Sequence, residues 1–170
     1  MTEEEQKRIF DTWLGKYRPL LFKVVRAYAF NLADQEDLFQ DISLQVWRSI
    51  PNFRKESQVS TWLYRVSLNT ALRRNRTESK YKDNQYPFEH VEHLLEEREE
   101  PVDERLAWLY GEIAKLNEVD RSLTLLLLDG FSYKEMAEVL GISESNIGVK
   151  IHRIKKYLTT QSQKFEKHGV

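Results

Sequence analysis

The stretch between residues 132 and 158 constrains the fold more than any other part of the chain, because it carries start and stop signals for two consecutive helices. Ser132 and Glu135 have the spacing of a capping box, in which each side chain binds the other residue's backbone amide. Gly141 can adopt the left-handed conformation that ends a helix, and Ser143 then offers a second N-cap. The pattern therefore predicts a helix-turn-helix.

The second helix of this motif has two faces of different chemistry. Its apolar face consists of Ile147, Ile151, Ile154 and Leu158, and its other face carries Asn146, Val149, Lys150 and Arg153. An apolar back and a polar, basic front suit a helix that lies in the major groove of DNA while anchored to its own domain. An ordinary helical hairpin with solvated lysines is the alternative, but two successive caps around a tight turn favour DNA binding.

Composition limits the class of protein. The 170 residues include no cysteine, which excludes disulfides and thiolate metal sites and fits a reducing cytoplasm. We expect a cytoplasmic protein without membrane insertion, because no apolar run approaches the roughly 20 residues that span a bilayer and the charged N-terminus lacks the apolar stretch of a signal peptide. The net charge is only −1, but acid concentrates at 34–41 and 89–104 and base at 65–82 and 150–156. This segregation predicts separate electrostatic faces for different partners.

Hydrophobic periodicity is helical along almost the whole chain, without sustained strand alternation. The predicted helices cover 4–16, 19–30, 35–50, 60–81, 102–116, 121–129, 133–140 and 144–161. The segment 82–101 has little periodicity, contains Pro87 and Pro101 and is rich in glutamate. The predicted fold class is therefore all-α, with two small helical domains, 1–81 and 102–170, joined by an acidic flexible linker, the C-terminal domain holding the helix-turn-helix.

The predicted helix over 35–50, for which Asp34 is the candidate N-cap, carries two lines of side chains. Leu38, Ile42, Val46 and Ile50 form an apolar line, and Asp37, Gln40, Asp41, Leu44 and Trp47 form a second, mixed line. A mixed face with a tryptophan is typical of a protein interface, although Leu44 and Trp47 could equally belong to the core. No histidine or Gly-rich loop accompanies the paired carboxylates, so we do not expect catalysis.

The predicted helix over 60–81 is basic along one side. Arg65, Asn69, Arg73, Arg76 and Lys80 recur at spacings of three or four, and Trp62 lies on another side. The loop before this helix adds amide, aromatic and basic groups at Asn52, Phe53 and Lys55. Basic side chains interleaved with aromatic ones suit the binding of nucleic acid, whose nucleobases can stack on the rings or enter a pocket. A solvated face above buried aromatics is the alternative.

Taken together, three blocks of sequence resemble the extracytoplasmic-function group of bacterial sigma factors. The blocks are Asp34-Gln35-Glu36-Asp37-Leu38-Phe39-Gln40-Asp41 with Trp47-Arg48, Ser60-Thr61-Trp62-Leu63-Tyr64-Arg65-Val66 with Asn69 and Arg76, and Phe131-Ser132-Tyr133-Lys134-Glu135-Met136-Ala137. Their order and spacing make the match specific, and it covers nearly the whole chain. The resemblance implies a two-domain transcription initiation factor that has no active site and needs no cofactor.

The resemblance also implies partners and site residues. The N-terminal domain would bind the clamp helices of the largest RNA polymerase subunit through Asp37, Gln40, Asp41, Leu44 and Trp47. It would contact minus-ten promoter DNA through Asn52, Phe53, Lys55, Ser60, Trp62, Arg65, Asn69, Arg73 and Arg76, the loop 52–59 holding a flipped base. The C-terminal domain would bind the flap of the second subunit and read the minus-thirty-five element through Ser143, Ser145, Asn146, Val149, Lys150 and Arg153. An anti-sigma factor is a further expected partner.

Some positions depart from the pattern of the group, and two other functions are open. Gly148 and Val149 stand where the recognition helix often carries polar or basic side chains, and Asn117 replaces a common proline. A one-component regulator would use only the helix-turn-helix, which leaves the second basic helix unexplained. A nucleic-acid-processing enzyme would need a metal-ligand cluster, and His90 and His93 have no evident third ligand.

Overall fold

The computed structural model describes residues 1–76 and 103–168, and within these ranges the chain is helical without any strand. The helices are α1 (Glu3–Lys16), α2 (Arg18–Tyr28), α3 (Leu32–Ser49), α4 (Val59–Arg76), α5 (Glu104–Lys115), α6 (Glu118–Leu128), α7 (Tyr133–Leu140) and α8 (Glu144–His168), with a 3-10 turn at Ile50–Asn52. Two compact units, Met1–Pro101 and Val102–Val170, divide the chain. The predicted all-α, two-domain fold is confirmed. The linker 82–101, Lys80, His90 and His93 lie outside the described residues.

The N-terminal unit is built around the packing of α3 on α4, with α2 against both. The predicted apolar line of α3 is confirmed as core: Leu38, Ile42, Val46 and Ile50 are each at most 1% exposed. Phe39 of this helix stacks on Phe22 of α2 with ring centroids 5.2 Å apart. The rotation of α3 about its axis is therefore fixed by apolar burial, which leaves its mixed polar line on the outside.

The start of α3 differs from the prediction. Asn31, not Asp34, is the N-cap: its Oδ1 accepts a hydrogen bond from the Asp34 amide at 2.9 Å, and its Nδ2 donates to Asp34 Oδ2 at 2.6 Å. Asp34 instead lies in the first turn, where its negative charge interacts favourably with the positive end of the helix dipole. The predicted start was late because aspartate is as favourable an N-cap as asparagine, so the sequence did not decide between Asp34 and Asn31.

The helix-turn-helix of the C-terminal unit is confirmed, including the bounds of α7. Ser132 Oγ accepts from the Glu135 amide at 3.1 Å, and Glu135 Oε2 accepts from the Ser132 amide at 2.7 Å. Gly141 ends the helix at φ 70°, in the left-handed region. Ser143 Oγ then accepts from the Asn146 amide at 3.2 Å at the start of α8. The turn is thus closed by the side chains that the sequence pattern singled out.

Two boundaries in this unit differ from the prediction by three residues or more. Helix α6 begins at Glu118, three residues early, because Asn117 caps it by accepting from the Asp120 amide at 2.9 Å. Helix α8 continues to His168, where Phe165 stacks on Trp108 of α5 with ring centroids 5.2 Å apart. The aromatic contact gives the last turns of α8 a packing partner that the sequence alone did not reveal.

A buried carboxylate joins α5 to α8. Glu112 is 6% exposed, and it accepts hydrogen bonds from Tyr157 Oη at 2.7 Å and Lys115 Nζ at 2.9 Å. Burial of the carboxylate opposes its ionisation, but the hydrogen bonds from Lys115 and Tyr157 outweigh that cost and lower the pKa of Glu112. Because the pKa is lower in the folded state, the cluster stabilises the unit above the usual carboxyl value of 4.5 and loses this effect as the pH falls through the folded pKa.

We expect Glu112→Gln to destabilise the C-terminal unit by about 1.5–3 kcal/mol at pH 7, the range for hydrogen bonds to charged groups. The difference from wild type should shrink when the pH is taken below the folded pKa, because the wild-type carboxyl is then neutral as well. Hydrogen exchange of the α5 and α8 amides, corrected for intrinsic rates, measures both values. Glu138→Gln, at an exposed position of α7, is the matched control. An equal loss at neutral and acid pH would contradict the assignment.

Candidate protein and nucleic-acid interfaces

The mixed line of α3 forms a continuous, partly exposed stripe opposite the buried apolar line. Asp37 is exposed, whereas Gln40, Asp41, Leu44 and Trp47 are half-buried. Neither Leu44 nor Trp47 is fully buried in the core, and each leaves part of its surface exposed. Their role in an interface stays a prediction.

Trp47 is positioned by α1. Its indole meets the ring of Phe10 edge to face at 5.5 Å between centroids, and its backbone carbonyl accepts a hydrogen bond from Gln6 Nε2 at 2.7 Å. Phe10 is itself buried, at 2% exposed. The remaining exposed surface of Trp47 is held in one place, which is what an interface anchor requires.

An arginine that the sequence analysis missed joins the acids of α3 to α4. Arg74 Nη1 lies 2.7 Å from Asp41 Oδ2, and Arg74 Nη2 lies 3.6 Å from Asp37 Oδ2. The arginine side chain is only 17% exposed and that of Asp41 30%, whereas that of Asp37 is 61% exposed. The charge of Asp41 is thus largely neutralised within the unit by Arg74. Of the two acids, Asp37 is the one that faces outward.

Two aromatics predicted to contact DNA are brought together by a third, Trp13 of α1, which the sequence analysis did not select. Trp13 lies 5.2 Å from Phe53 and 5.5 Å from Trp62, and Phe53 lies 5.3 Å from Trp62, as ring-centroid distances. All three rings are half-buried. This aromatic cluster fixes the start of the loop 52–59 relative to the first turns of α4.

The remaining residues of the predicted minus-ten set divide by exposure. Asn52, Lys55, Asn69, Arg73 and Arg76 are exposed, and Ser60 and Arg65 are half-buried. Lys55 has φ 58°, a left-handed conformation uncommon for a residue with a side chain. Arg65 Nε is buried and has no hydrogen-bond partner among the described residues. The exposed members lie on the loop and on the side of α4 where the basic stripe was predicted.

The front of α8 matches the prediction at five of its six positions. Ser143, Ser145, Asn146, Val149 and Arg153 are exposed, while Ile147, Ile151 and Ile154 are buried behind them. The hydroxyls of Ser143 and Ser145 lie 3.3 Å apart at the start of the helix. A helix N-terminus with exposed polar groups on one face and buried apolar side chains on the opposite face is suited to bind in a DNA groove.

Lys150 is the exception: it is half-buried, not exposed, and its contact with DNA stays a prediction. Its Nζ lies 3.7 Å from Asp120 Oδ1 of α6, and its side chain is 28% exposed. Asp120 is itself held by Asn117 Nδ2, which donates to Oδ2 at 2.9 Å. The Lys150 side chain therefore turns toward α6, and the cation that stays on the front is Arg153.

Within residues 1–76 and 103–168, no group of three or more histidine, cysteine, aspartate or glutamate side chains could hold a metal ion. Among the helices of the same residues, none is long and apolar enough to cross a membrane.

Comparison with known families assigns both units. The family described as Sigma-70 region 2 matches residues 9–81, and the family described as Sigma-70, region 4 matches residues 106–158. The first match covers α2 to α4 and the aromatic cluster, and the second covers the helix-turn-helix with the front of α8.

Curated relatives match over nearly their full length. RNA polymerase sigma factor SigZ of Bacillus subtilis is 30% identical, with 85% of this chain and 81% of the relative covered. RNA polymerase sigma-H factor of Pseudomonas aeruginosa is 28% identical, with 88% and 84% covered. The ECF RNA polymerase sigma-E factor of Haemophilus influenzae is 25% identical, with 95% and 91% covered.

Two solved structures share the fold. One is described as CnrH in complex with the cytosolic domain of CnrY, with a TM-score of 0.65 at 21% identity over 92% of this chain and 89% of that one. The other is sigma factor RpoE in complex with the anti-sigma factor NepR from Bartonella quintana, with a TM-score of 0.69 at 18% identity over 92% and 98%. With both sigma-70 regions matched in order and curated relatives aligned over most of their length, the chain belongs to the extracytoplasmic-function group of sigma factors, the initiation factors that direct RNA polymerase to promoters.

Proposed function

We propose that the two units of the chain divide promoter recognition between them. Residues 1–81 bind RNA polymerase core and recognise and open the minus-ten element, residues 82–101 are a tether, and residues 102–170 bind the polymerase flap and the minus-thirty-five element. The observation that carries this proposal is that each unit presents its own exposed basic helix, α4 with Asn69 and Arg73 and α8 with Asn146 and Arg153. A one-component regulator would need only the second.

The polymerase contact is proposed for the mixed stripe of α3. Asp37, Gln40 and Leu44 offer an acid, an amide and an apolar group in sequence along one face, and Trp47 stands at the end of it on the support of Phe10. Interfaces of this kind are dominated by a few anchored aromatic or charged side chains. The clamp helices of the largest subunit are the expected counterpart.

The minus-ten contact is proposed for the aromatic cluster together with exposed polar and basic side chains of the loop and of α4. Phe53, at the start of the loop 52–59, and Trp62, in the first turn of α4, are both half-buried and expose part of their rings. Lys55 of the loop and Asn69 and Arg73 of α4 are exposed. Rings that are rigidly held can stack on an unpaired base, and the cations can bind the adjoining phosphates. Opening of the duplex would thus be driven by binding energy at this surface.

The chain is proposed to supply binding energy and DNA strain while the chemistry of initiation belongs to polymerase, so it is not itself an enzyme. The cytoplasm is its proposed location, because polymerase works there. An anti-sigma factor is a proposed partner: the similar structures of CnrH and RpoE were solved with CnrY and the anti-sigma factor NepR.

Reconstituted transcription tests the proposal. Purified chain and RNA polymerase core are combined on a genomic fragment library, and run-off products are sequenced. We expect specific initiation only when both components are present, with weak and salt-sensitive duplex binding by the free chain, because few phosphate contacts are available on a protein of net charge −1. Tight sequence-specific binding by the free chain, without any effect on core polymerase, would favour a one-component regulator instead.

Removal of the front cation of α8 should weaken recognition of the upstream element. Arg153→Ala is expected to cost about 1–3 kcal/mol if the guanidinium reads a base edge, with relaxed preference at that position. If it binds only phosphate, the loss should be uniform across sequences and the salt dependence should flatten. A promoter-library profile of the holoenzyme separates the two. Lys167→Ala removes a charge from the far end of the same helix as the control, and a profile unchanged for Arg153→Ala would remove this residue from the interface.

Charge reversal on α3 should weaken polymerase binding without unfolding the unit. Asp37→Lys replaces an exposed acid whose partner, Arg74, keeps its contact with Asp41 at 2.7 Å. Asp11→Lys is a closely matched control, since the Asp11 side chain is 57% exposed and pairs with Lys7. A circular-dichroism melt and a pull-down with core polymerase are read together. We expect both variants to melt like wild type and only Asp37→Lys to lose polymerase; equal retention would argue against this face.

A further inference from the structure

The exposed face of α8 is centred on an apolar side chain. Val149 is 52% exposed, and it lies between Asn146 and Arg153 at helical spacings of three and four residues. A single exposed apolar residue is ordinary on a protein surface. Its position is what distinguishes it, because it stands at the middle of the face that the proposed function assigns to the promoter.

The two neighbours of Val149 in sequence leave it projecting. Gly148 has no side chain, and a Cβ built there would lie 3.6 Å from Tyr133 Cε2, an ordinary contact. An alanine would thus fit within the protein and would favour the helix by roughly 1 kcal/mol, so packing inside the unit does not require the glycine. On the other flank, the Lys150 side chain turns toward Asp120 of α6. The groups that flank Val149 on the front are the amide of Asn146 and the guanidinium of Arg153, with the hydroxyls of Ser143 and Ser145 at the start of the helix.

This set has a specific counterpart in the major groove. Only thymine presents a methyl group there, and apolar side chains read it by contact, whereas asparagine and arginine bind the hydrogen-bonding edges of adenine and guanine. Resting on the proposed function, we infer that Val149 reads the 5-methyl group of one thymine in the upstream promoter element, with Asn146 and Arg153 contacting the bases or phosphates on either side.

The test removes the methyl group from the DNA and the isopropyl group from the protein. Each thymine of an upstream element obtained from the run-off selection is replaced singly by uracil, and promoter binding by the holoenzyme is titrated. We expect a loss of about fourfold at one position, the factor for burying one methyl-sized group. Val149→Ala should weaken binding to the thymine promoter and remove the sensitivity to uracil at that position, since the two changes delete the same contact.

Val149→Ala is a mild change for the fold, because the position is exposed and alanine favours the helix. Val119→Ala, at a position of α6 that is 37% exposed, is the matched control and should keep the full response to uracil. The inference is overturned if the wild-type holoenzyme initiates specifically but no uracil substitution weakens it, if the element has no thymine, or if Val149→Ala keeps the same sensitivity. Failure of the wild-type chain to initiate with core polymerase would instead reject the proposed function.

Discussion

The burial of one row of apolar side chains on α3, and of another on α8, is the constraint on which the rest of the structure depends. In α8, Ile147, Ile151 and Ile154 are at most 2% exposed, and this burial fixes the rotation of the helix about its axis. Once that rotation is fixed, Val149 and Arg153 face outward, Lys150 turns toward Asp120, and Tyr157 reaches Glu112. The proposed DNA-recognition face and the stability of this unit are therefore two results of the same packing.

The same logic operates in α3, with one addition. The row that includes Leu38 and Ile42 sets the mixed stripe on the outside, and Arg74 then partly neutralises the acids of that stripe from α4. An ion pair between exposed side chains contributes little to stability. The Arg74 side chain is only 17% exposed, however, and its contact holds Asp41 in one orientation. A residue of α4 thus determines how an acid of the proposed polymerase face is oriented.

Local signals made the helix-turn-helix predictable to the residue, since Ser132, Glu135 and Gly141 act within a few positions of one another. The family could also be predicted from the three sequence blocks, because the resemblance rests on their order and spacing. Contacts between helices could not be predicted. Arg74 with Asp41 and Trp13 with Trp62 depend on how two helices cross, which the periodicity of either helix does not encode. The caps of α3 and α6 were missed because asparagine and aspartate serve equally well as N-caps and both occur nearby.

The aromatic cluster has a consequence for which substitutions the chain can accept. Trp13, Phe53 and Trp62 come from α1, from the start of the loop and from α4, and their rings meet edge to face or tilted at 5.2 to 5.5 Å. A smaller ring at any one position leaves a gap against the other two, so the effects of substitutions at the three positions are coupled and not additive. A change at position 13, in a helix outside the loop and α4, therefore alters which side chains fit at positions 53 and 62.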